Sequence, residues 1–321
     1  MKETSPILRL VALGLAALSL LAAAVAIVLA AGSLTRRAAP QAESVDVSAS
    51  AGILDPAEPE ASASAREQEG GSPAKQQTDR KDARVQQAMD QFVTAQSGAW
   101  DLYYESLTDG KTAQAQSNHG AEPRSVAASL IKLFVMGAVY DAVQNGSLEH
   151  DAVYADLRSM IAASDNDACN RLVTKLGGGD AAAGMTAVNR FAASIGCSDV
   201  QMNRLMLKPG SENYVSARDC AAILRMIYQK RLVSADASAE MLALLKEQTV
   251  NDRLPAALPQ GVTVAHKTGN LPNLSCGDVG IVFTDKGDYI LCLISNYSQN
   301  DVQTTGAMAT FSRTVYDIVT A

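Results

Sequence analysis

The sequence has few of the residues that hold metals and no excess of the charge that binds nucleic acid. Its five cysteines are odd in number and include no C-x-x-C pair, so zinc-site spacing is absent and not all thiols can be bridged. Only three histidines occur, and 34 acidic against 27 basic residues give a formal net charge of −7. A nucleic-acid-binding chain normally shows the opposite balance. We therefore predict no metal, no cofactor and no nucleic-acid partner.

The cysteines are predicted to be buried hydrophobic residues rather than disulfide partners. Free cysteine is among the most buried residue types. Several of these cysteines lie in helix-like or strand-like stretches. They are Cys169, Cys197, Cys220, Cys276 and Cys292.

The N-terminus carries the one long apolar run of the chain, from Leu10 to Ala31, with basic residues on both sides. A helix of this length can cross a hydrocarbon core of about 30 Å, whereas the apolar part of a cleaved signal peptide is about 7–15 residues long. We predict a short cytoplasmic segment (1–9) and an uncleaved transmembrane signal-anchor (10–33), with a cleaved signal peptide as the alternative.

The next segment, 34–84, is composed mainly of Ala, Glu, Ser, Gln, Pro and Gly. Such a composition cannot bury enough apolar surface to offset the entropy lost on ordering. We predict a disordered stalk here, followed by a catalytic domain at 85–321.

The pattern of the catalytic domain predicts an α+β fold. A helix at 85–93 precedes a hairpin made by 100–107 and 112–117, with Asp109 and Gly110 at its turn. Helical stretches fill the middle of the chain. Strands at 262–267, 277–283 and 289–295 and a helix at 307–319 follow. We predict one antiparallel sheet built from both ends of the domain, flanked by terminal helices, with an inserted all-helical subdomain.

Three short motifs occur in a fixed order within this domain. S-x-x-K begins at Ser129 and ends at Lys132, S-D-N begins at Ser164, and K-T-G begins at Lys267. Each motif alone is common, and Ser164 alone would be read as a turn or helix cap. The ordered set is far more specific, because each motif also falls on a suitable element: a helix start, an inter-helix loop and a strand.

The residue types fit nucleophilic catalysis. A serine hydroxyl becomes a useful nucleophile only when a base takes its proton. Spacing of i, i+3 puts Lys132 on the helix face of Ser129, one turn later. An apolar helix would desolvate the amine and favour its neutral, basic form. His266 adjoins Lys267, but neighbouring strand residues face opposite sides, so we assign it no catalytic role.

With these motifs and their neighbouring residues, the region from about residue 83 to residue 321 resembles class A β-lactamases and penicillin-binding proteins, the S-x-x-K superfamily. The resemblance implies a β-lactamase/D,D-peptidase-like fold with Ser129, Lys132, Ser164 and Lys267 as catalytic residues. Ser164 would relay a proton to the leaving nitrogen.

The resemblance also implies a set of substrate contacts. Asn166 would offer its amide to the acylamino group of the substrate, and Thr268 with Lys267 would hold the carboxylate. The backbone N–H groups of Ser129 and Asn270 would form the oxyanion hole. From the geometry of a strand edge, we expect Gly269 to leave room for the substrate.

One departure from the class A pattern bears on turnover. Class A enzymes carry a water-activating glutamate two residues after an arginine, but here Met206 follows Arg204 at that spacing. Glu212 is the only acid in the loop. We therefore predict acylation followed by slow deacylation, unless Glu212 reaches the water position.

Two classes of function remain. The first is a serine hydrolase of class A β-lactamase type, contributing to β-lactam breakdown and antibiotic resistance, with a peptidoglycan D,D-carboxypeptidase as its near alternative. The second is a penicillin-binding sensor that does not hydrolyse its ligand. In either case the expected ligands are β-lactams or D-Ala-D-Ala-like peptides. The protein is predicted to be a monomer in the cell membrane, crossing it once, with its catalytic domain outside the cytoplasm.

Overall fold

The computed structural model describes residues 73–117, 124–298 and 300–321. The predicted cytoplasmic segment, the signal-anchor at 10–33 and most of the predicted stalk lie outside these ranges. Within them, no helix combines the length and the apolar character needed to span a membrane. The prediction of an N-terminal anchor therefore stays a prediction.

One five-stranded antiparallel sheet organises the domain, in the order β2-β1-β7-β6-β5. Its strands are β1 (Ala99–Ser106), β2 (Thr112–Ser117), β5 (Val264–Leu271), β6 (Ser275–Val282) and β7 (Tyr289–Asn296). A second, two-stranded pair joins β3 (Ser125–Val126) to β4 (Tyr214–Val215). Because β7 lies beside β1, the two ends of the domain meet in the middle of the sheet, as the sequence predicted.

Eight α-helices are described. They are α1 (Pro73–Ala95), α2 (Lys132–Gln144), α3 (His150–Ala162), α4 (Asn166–Leu176), α5 (Ala181–Ser194), α6 (Ala217–Tyr228), α7 (Ala235–Lys246) and α8 (Asp301–Thr320). A 3₁₀ turn, Ala128–Ile131, leads directly into α2.

Apolar residues bury both faces of the sheet. In β7, Ile290 and Ile294 belong to the core shared with the inserted helices, whereas Leu291 and Leu293 belong to a second core. That second core includes residues of α1 and α8, the two terminal helices. Successive residues of a strand point to opposite faces, so a strand with an apolar residue at nearly every position is buried on both sides. The predicted α+β fold class is confirmed.

The boundaries differ from the sequence prediction at two places. Helix α1 begins at Pro73, inside the segment predicted as stalk. Its first half contains good helix formers, which explains the helix. The same half has no large apolar residue, so nothing in the sequence indicated a buried helix there. The predicted helix beginning at Ser129 starts instead as the 3₁₀ turn, and regular α-helix begins at Lys132. Proline at the first position of α1 fits a helix start.

All five cysteines are free and buried, as predicted. Burial raises the pKa of Cys169 and Cys197 to about 12 and that of Cys220 and Cys292 well above the usual value for a thiol. These thiols therefore remain protonated at neutral pH and act as packing groups.

Candidate active site

Ser129 lies in a strained turn beneath the edge strand of the sheet. The residue before it, Ala128, has a φ of 45°, in the left-handed region that an alanine rarely adopts. Two hydrogen bonds fix the segment: Ala127 N donates to Asn213 O at 2.8 Å, and Leu130 N donates to Ala127 O at 2.9 Å. Strain of this kind persists where the surroundings impose it, and it often marks a functional site.

Lys132 reaches the candidate nucleophile directly. Its Nζ donates to Ser129 Oγ at 3.1 Å, which is the contact that the i, i+3 spacing predicted. The same amine donates to Asn166 Oδ1 at 2.7 Å and to the carbonyl oxygen of Ser164 at 2.6 Å. All of its hydrogen-bond partners among the described residues are neutral oxygens, and Asp165 favours the charged form of the amine through its charge rather than through a hydrogen bond.

Ser164 connects the two candidate lysines. Lys267 Nζ lies 2.9 Å from Ser164 Oγ, and Lys132 Nζ lies 3.3 Å from the same oxygen. Ser164 itself has a φ of 58°, and in this conformation both its carbonyl and its hydroxyl oxygen face Lys132. The structure thus brings Ser129, Lys132, Ser164 and Lys267 into one chain of hydrogen bonds.

Both lysines are buried, and burial lowers the pKa of each amine. The pKa of Lys132 falls to about 8, chiefly because desolvation disfavours its ammonium form. The pKa of Lys267 falls well below its usual value through burial first and through the nearby charge of Lys132 second. Two ammonium groups facing one hydroxyl oxygen repel each other, so a neutral amine is readily available in the site.

The predicted substrate contacts lie along α4 and the edge strand β5. Asn166 is the first residue of α4, and its neighbour Asp165 caps the helix by accepting from Ala168 N at 2.9 Å. Asn270 is exposed near the end of β5. Thr268 is buried and lies one position from Lys267, so it alternates to the other face of the strand.

The space that a side chain at Gly269 would occupy is filled by protein. A Cβ built at this position would lie 3.0 Å from Leu130 Cγ and 3.1 Å from Ala127 O, both in the segment around Ser129. That substrate lies along the strand edge at Gly269 stays a prediction, but a side chain at this position would meet protein first. Glycine lets β5 pack closely against the 3₁₀ turn Ala128–Ile131, here called the nucleophile turn, and this packing brings Lys267 within reach of Ser164.

Arg253 is a candidate site residue that the sequence analysis missed. Its side chain is buried, its Nη2 lies 3.5 Å from Asn270 Oδ1, and its Nε has no hydrogen-bond partner among the described residues. Its charge also contributes to the lowered pKa of Lys267. Arg253 is not part of any of the three motifs, because it lies in a loop 14 residues upstream of Lys267 and reaches β5 only in the folded chain. The only sequence signal at this position is the tripeptide R-L-P.

The loop at 203–213 places a thioether where the class A pattern has an acid. Met206 is buried in the core shared with the inserted helices. Its backbone is fixed by Asn170, whose Oδ1 accepts from Met206 N at 2.7 Å and whose Nδ2 donates to Met206 O at 3.1 Å. A thioether cannot accept a proton at neutral pH, so Met206 cannot activate a water.

Glu212 closes the base of this loop. Its Oε2 lies 2.6 Å from Arg204 Nη2, and Asn203 Nδ2 donates to the Glu212 backbone oxygen at 2.7 Å. Asn213 supports the same closure by accepting from Arg204 N at 3.0 Å. Glu212 was the one acid that could have replaced the missing glutamate, and its carboxylate is paired with Arg204 instead.

Comparison with known proteins agrees with this geometry. A sequence model of the beta-lactamase enzyme family matches residues 84–155 and 153–319. The extended-spectrum beta-lactamase PER-1 of Pseudomonas aeruginosa is 27% identical over 150 residues, which cover 43% of this chain and 47% of that protein. The match to that relative therefore spans about half of its length.

Solved structures extend the similarity over the domain. PBP-A is 26% identical, with a TM-score of 0.63 over 73% of this chain and 94% of its own. A PBP-A variant solved as an acyl-enzyme complex with penicillin G is 25% identical, with a TM-score of 0.64 over 73% of this chain and 96% of its own. A class A beta-lactamase from Bacteroides cellulosilyticus is 19% identical, with a TM-score of 0.63 over 74% and 98% of the two chains, and shares the fold.

Proposed function

The chain belongs to the beta-lactamase enzyme family, and from this premise we propose that it is a serine hydrolase that opens β-lactam amides through an acyl-serine at Ser129. The observation that carries the proposal is the hydrogen-bond chain from Ser129 through Lys132 and Ser164 to Lys267. Such an enzyme would contribute to β-lactam resistance.

In the acylation step, neutral Lys132 accepts the proton of Ser129 as the serine oxygen attacks the lactam carbonyl. The C–N bond then breaks, and the leaving nitrogen takes a proton from the Ser164 hydroxyl, which Lys132 or Lys267 replenishes. The short contacts around Ser164 Oγ support this relay, since proton transfer needs a partner within about 2.6–3.2 Å. The backbone N–H groups of Ser129 and Asn270 would stabilise the developing oxyanion.

The substrate is held at its two polar ends. Asn166 would bind the acylamino group. Thr268, Lys267 and Arg253 would bind the carboxylate. Because the pKa of Lys267 is lowered by burial, Arg253 supplies a positive charge there that does not depend on pH in the working range.

Deacylation is proposed to be slow. Met206 has no basic atom, and Glu212 is paired with Arg204. Loss of a positioned general base typically costs about 10²–10⁴-fold in rate. The expected behaviour is a burst of product followed by a low steady state.

The second candidate is a D,D-carboxypeptidase or penicillin-binding protein acting on D-Ala-D-Ala-like peptides, or a sensor that stops at the acyl-enzyme. The same site serves all three. The absence of a carboxylate hydrogen-bonded to Ser129 or Lys132 among the described residues favours slow hydrolysis, and PBP-A is among the similar structures.

The test is covalent labelling of the full-length protein with a fluorescent penicillin. The wild type should be labelled, and Ser129→Ala should abolish labelling. Ser147→Ala, at an exposed serine after α2, is the matched control and should label like the wild type. Persistent labelling of Ser129→Ala would overturn the mechanism.

Steady-state turnover of a chromogenic cephalosporin then separates the hydrolase from the sensor, and muropeptide analysis identifies a D,D-carboxypeptidase.

We also propose that the segment at 10–33 anchors a monomer in the cell membrane with the catalytic domain outside. The support is the length of the apolar run and the extracytoplasmic location of β-lactams and cell-wall peptides. Protease added to intact protoplasts should release a soluble catalytic domain. A domain that is cut only after lysis would contradict this orientation.

A further inference from the structure

A buried histidine and aspartate lie behind the end of the site where the substrate carboxylate is proposed to bind. His266 Nδ1 lies 2.8 Å from Asp278 Oδ1, and the two side chains are 1% and 0% exposed. Asp278 pairs with Thr268 across β5 and β6, and His266 pairs with Gly280. His266, Thr268 and Asp278 therefore share the face of the sheet opposite to Lys267.

The sequence at 280 makes room for the imidazole. A Cβ at Gly280 would lie 2.6 Å from His266 Cβ and 2.9 Å from Ala265 O. Any larger residue would displace the histidine or the strand. The ring thus occupies a space that the sheet provides for it.

This pair holds both ends of the short segment that carries Arg253. His266 Nε2 lies 3.0 Å from Asn251 Oδ1, two residues before Arg253. Asp278 Oδ2 accepts from Leu254 N at 3.0 Å, one residue after it. Because the arginine is bracketed by two bonds to the same buried pair, its segment is tied to β5, which carries the K-T-G motif, and to β6.

The polar contacts of the buried Arg253 side chain are long or involve weak partners, among them the Cys276 thiol opposite Asn270. The side chain is 3.5 Å from Asn270 Oδ1 and 3.6 Å from the carboxylate of exposed Asp252, and its Nε is unpartnered among the residues described. Its direction therefore depends on where the backbone of 251–254 is held.

We propose that His266 and Asp278 form a positioning pair that aims Arg253 at the substrate carboxylate and so determines the preference of the site for carboxylate-bearing ligands. The inference rests on the proposed function, since it assigns Arg253 a ligand at that site. Neither His266 nor Asp278 touches the substrate; they act through the segment at 251–254.

The experiment compares penicillin G with its methyl ester, using acylation rates measured in competition with a fluorescent penicillin. Arg253→Ala should slow acylation by penicillin G about tenfold or more, the usual effect of losing a hydrogen bond to a charged group, and should hardly change the rate for the ester. His266→Phe keeps a ring but removes both hydrogen bonds, so it should reduce the carboxylate-to-ester ratio in the same direction.

A double variant distinguishes a positioning role of His266 from a general disturbance of the fold. If His266 acts through Arg253, the double variant with His266→Phe and Arg253→Ala should have the ratio of Arg253→Ala alone. His150→Phe is the matched control, because His150 also bonds carboxylates but lies at the start of α3 with Glu240 as its partner. It should keep the wild-type ratio. Equal losses for penicillin G and the ester, or additive effects in the double variant, would overturn the proposal.

Asn251→Ala guards against a His266 variant that fails to fold. Asn251 is exposed, so its truncation should leave the fold intact while removing one of the two bonds that hold the segment. It should lower the ratio by about threefold, the lower end of a single hydrogen bond, and an unchanged ratio would refute the positioning role. If the wild type forms no acyl-enzyme, the proposed function fails. The ratio is then read from calorimetric binding of diacetyl-Lys-D-Ala-D-Ala against its C-terminal amide, with the same expectations for each variant.

Discussion

At the scale of single residues, the site depends on two amines that share one hydroxyl group. Lys132 and Lys267 are both buried and both bond Ser164 Oγ. Burial lowers both pKa values, and the nearby charge of Lys132 lowers that of Lys267 further, so a neutral amine is available although the charge of Asp165 acts in the opposite direction on Lys132. The base strength of the site is therefore set mainly by desolvation, and pH should reveal it.

We expect acylation to accelerate as pH rises through about 8, where Lys132 loses its proton. The neutral amine is the base, so its fraction and the rate should rise about tenfold from pH 7 to a plateau above pH 8. Stopped-flow labelling with a fluorescent penicillin between pH 6 and pH 9 measures this. Lys132→Arg, which holds its proton throughout, should label slowly at every pH. A rate that is flat or falls over this range would contradict the assignment of Lys132 as base.

A second residue-scale prediction concerns Gly269, where the strand meets the nucleophile turn. Gly269→Ala places a methyl group 3.1 Å from Ala127 O and should push β5 away from Ser129. A misplacement of about 1 Å can cost about 10²-fold in rate, so acylation should slow by about 10–100-fold. Gly306→Ala, in α8 with nothing within 4 Å of its new Cβ, should acylate normally. A normal rate for Gly269→Ala would show that β5 tolerates the displacement.

These residues differ in how far the sequence could reveal them. The Ser129–Lys132 contact was predictable because it lies within one helical turn. The roles of Gly269 and Arg253 were not, because both depend on how β5 packs against other segments. Arg253 is brought to Asn270 by a loop whose path is set by His266 and Asp278.

At the scale of elements, the proposal of slow deacylation depends on the loop at 203–213. It is held by Arg204 and Glu212 at its base and by Asn170 around Met206. The strands and helices that carry the motifs were predictable from apolar periodicity, whereas this loop has no period and its shape follows from side-chain to backbone bonds. Its chemistry could still be inferred from the missing glutamate.

Glu212→Gln tests whether the loop acid is structural or catalytic. The ion pair with Arg204 is partly buried, and its loss should cost about 1 kcal/mol and lower Tm by about 2–4 °C. Acylation and steady-state turnover should change by less than about threefold, because a Glu212 carboxylate that is paired with Arg204 does not act as the proton acceptor. Thermal unfolding and pre-steady-state kinetics measure the two effects. A fall of about 10²-fold or more in deacylation with unchanged Tm would instead identify Glu212 as the water-activating base.

At the scale of the whole molecule, the sheet separates two apolar cores, and the buried thiols are distributed between them. Four of the thiols belong to the core with the inserted helices: Cys169, Cys197, Cys220 and Cys292. Cys276 belongs to the core that includes residues of the terminal helices. The fold class could be predicted because the five strands of the main sheet and most helices show their burial in the sequence, whereas the two-residue strands β3 and β4 were not predicted. The bounds of α1 could not, since the sequence of its first half has no apolar period that would predict a buried helix.

The distribution of thiols predicts a steep loss of stability in alkali. In the unfolded chain a cysteine ionises near pH 8.5–9, whereas burial raises the pKa of all five thiols in the folded protein. Above pH 9 the unfolded state therefore binds fewer protons than the folded state, and stability falls by about 1.4 kcal/mol per thiol per pH unit. Lys132 and Lys267 oppose this, because their folded pKa values are lowered and the unfolded chain keeps their protons up to about pH 10.4.

Five thiols outweigh two lysines, so the free energy of unfolding should fall by about 4 kcal/mol between pH 9 and pH 10. Urea unfolding of the full-length protein in mild detergent with a reductant measures this slope. The double variant Cys220→Ala with Cys292→Ala removes two of the fully buried thiols and should flatten the slope by about 3 kcal/mol per pH unit, whatever its stability at pH 7. An unchanged slope would mean that the alkaline transition belongs to other groups, with the buried tyrosines Tyr104, Tyr140 and Tyr289 as the next candidates because burial raises their pKa values as well.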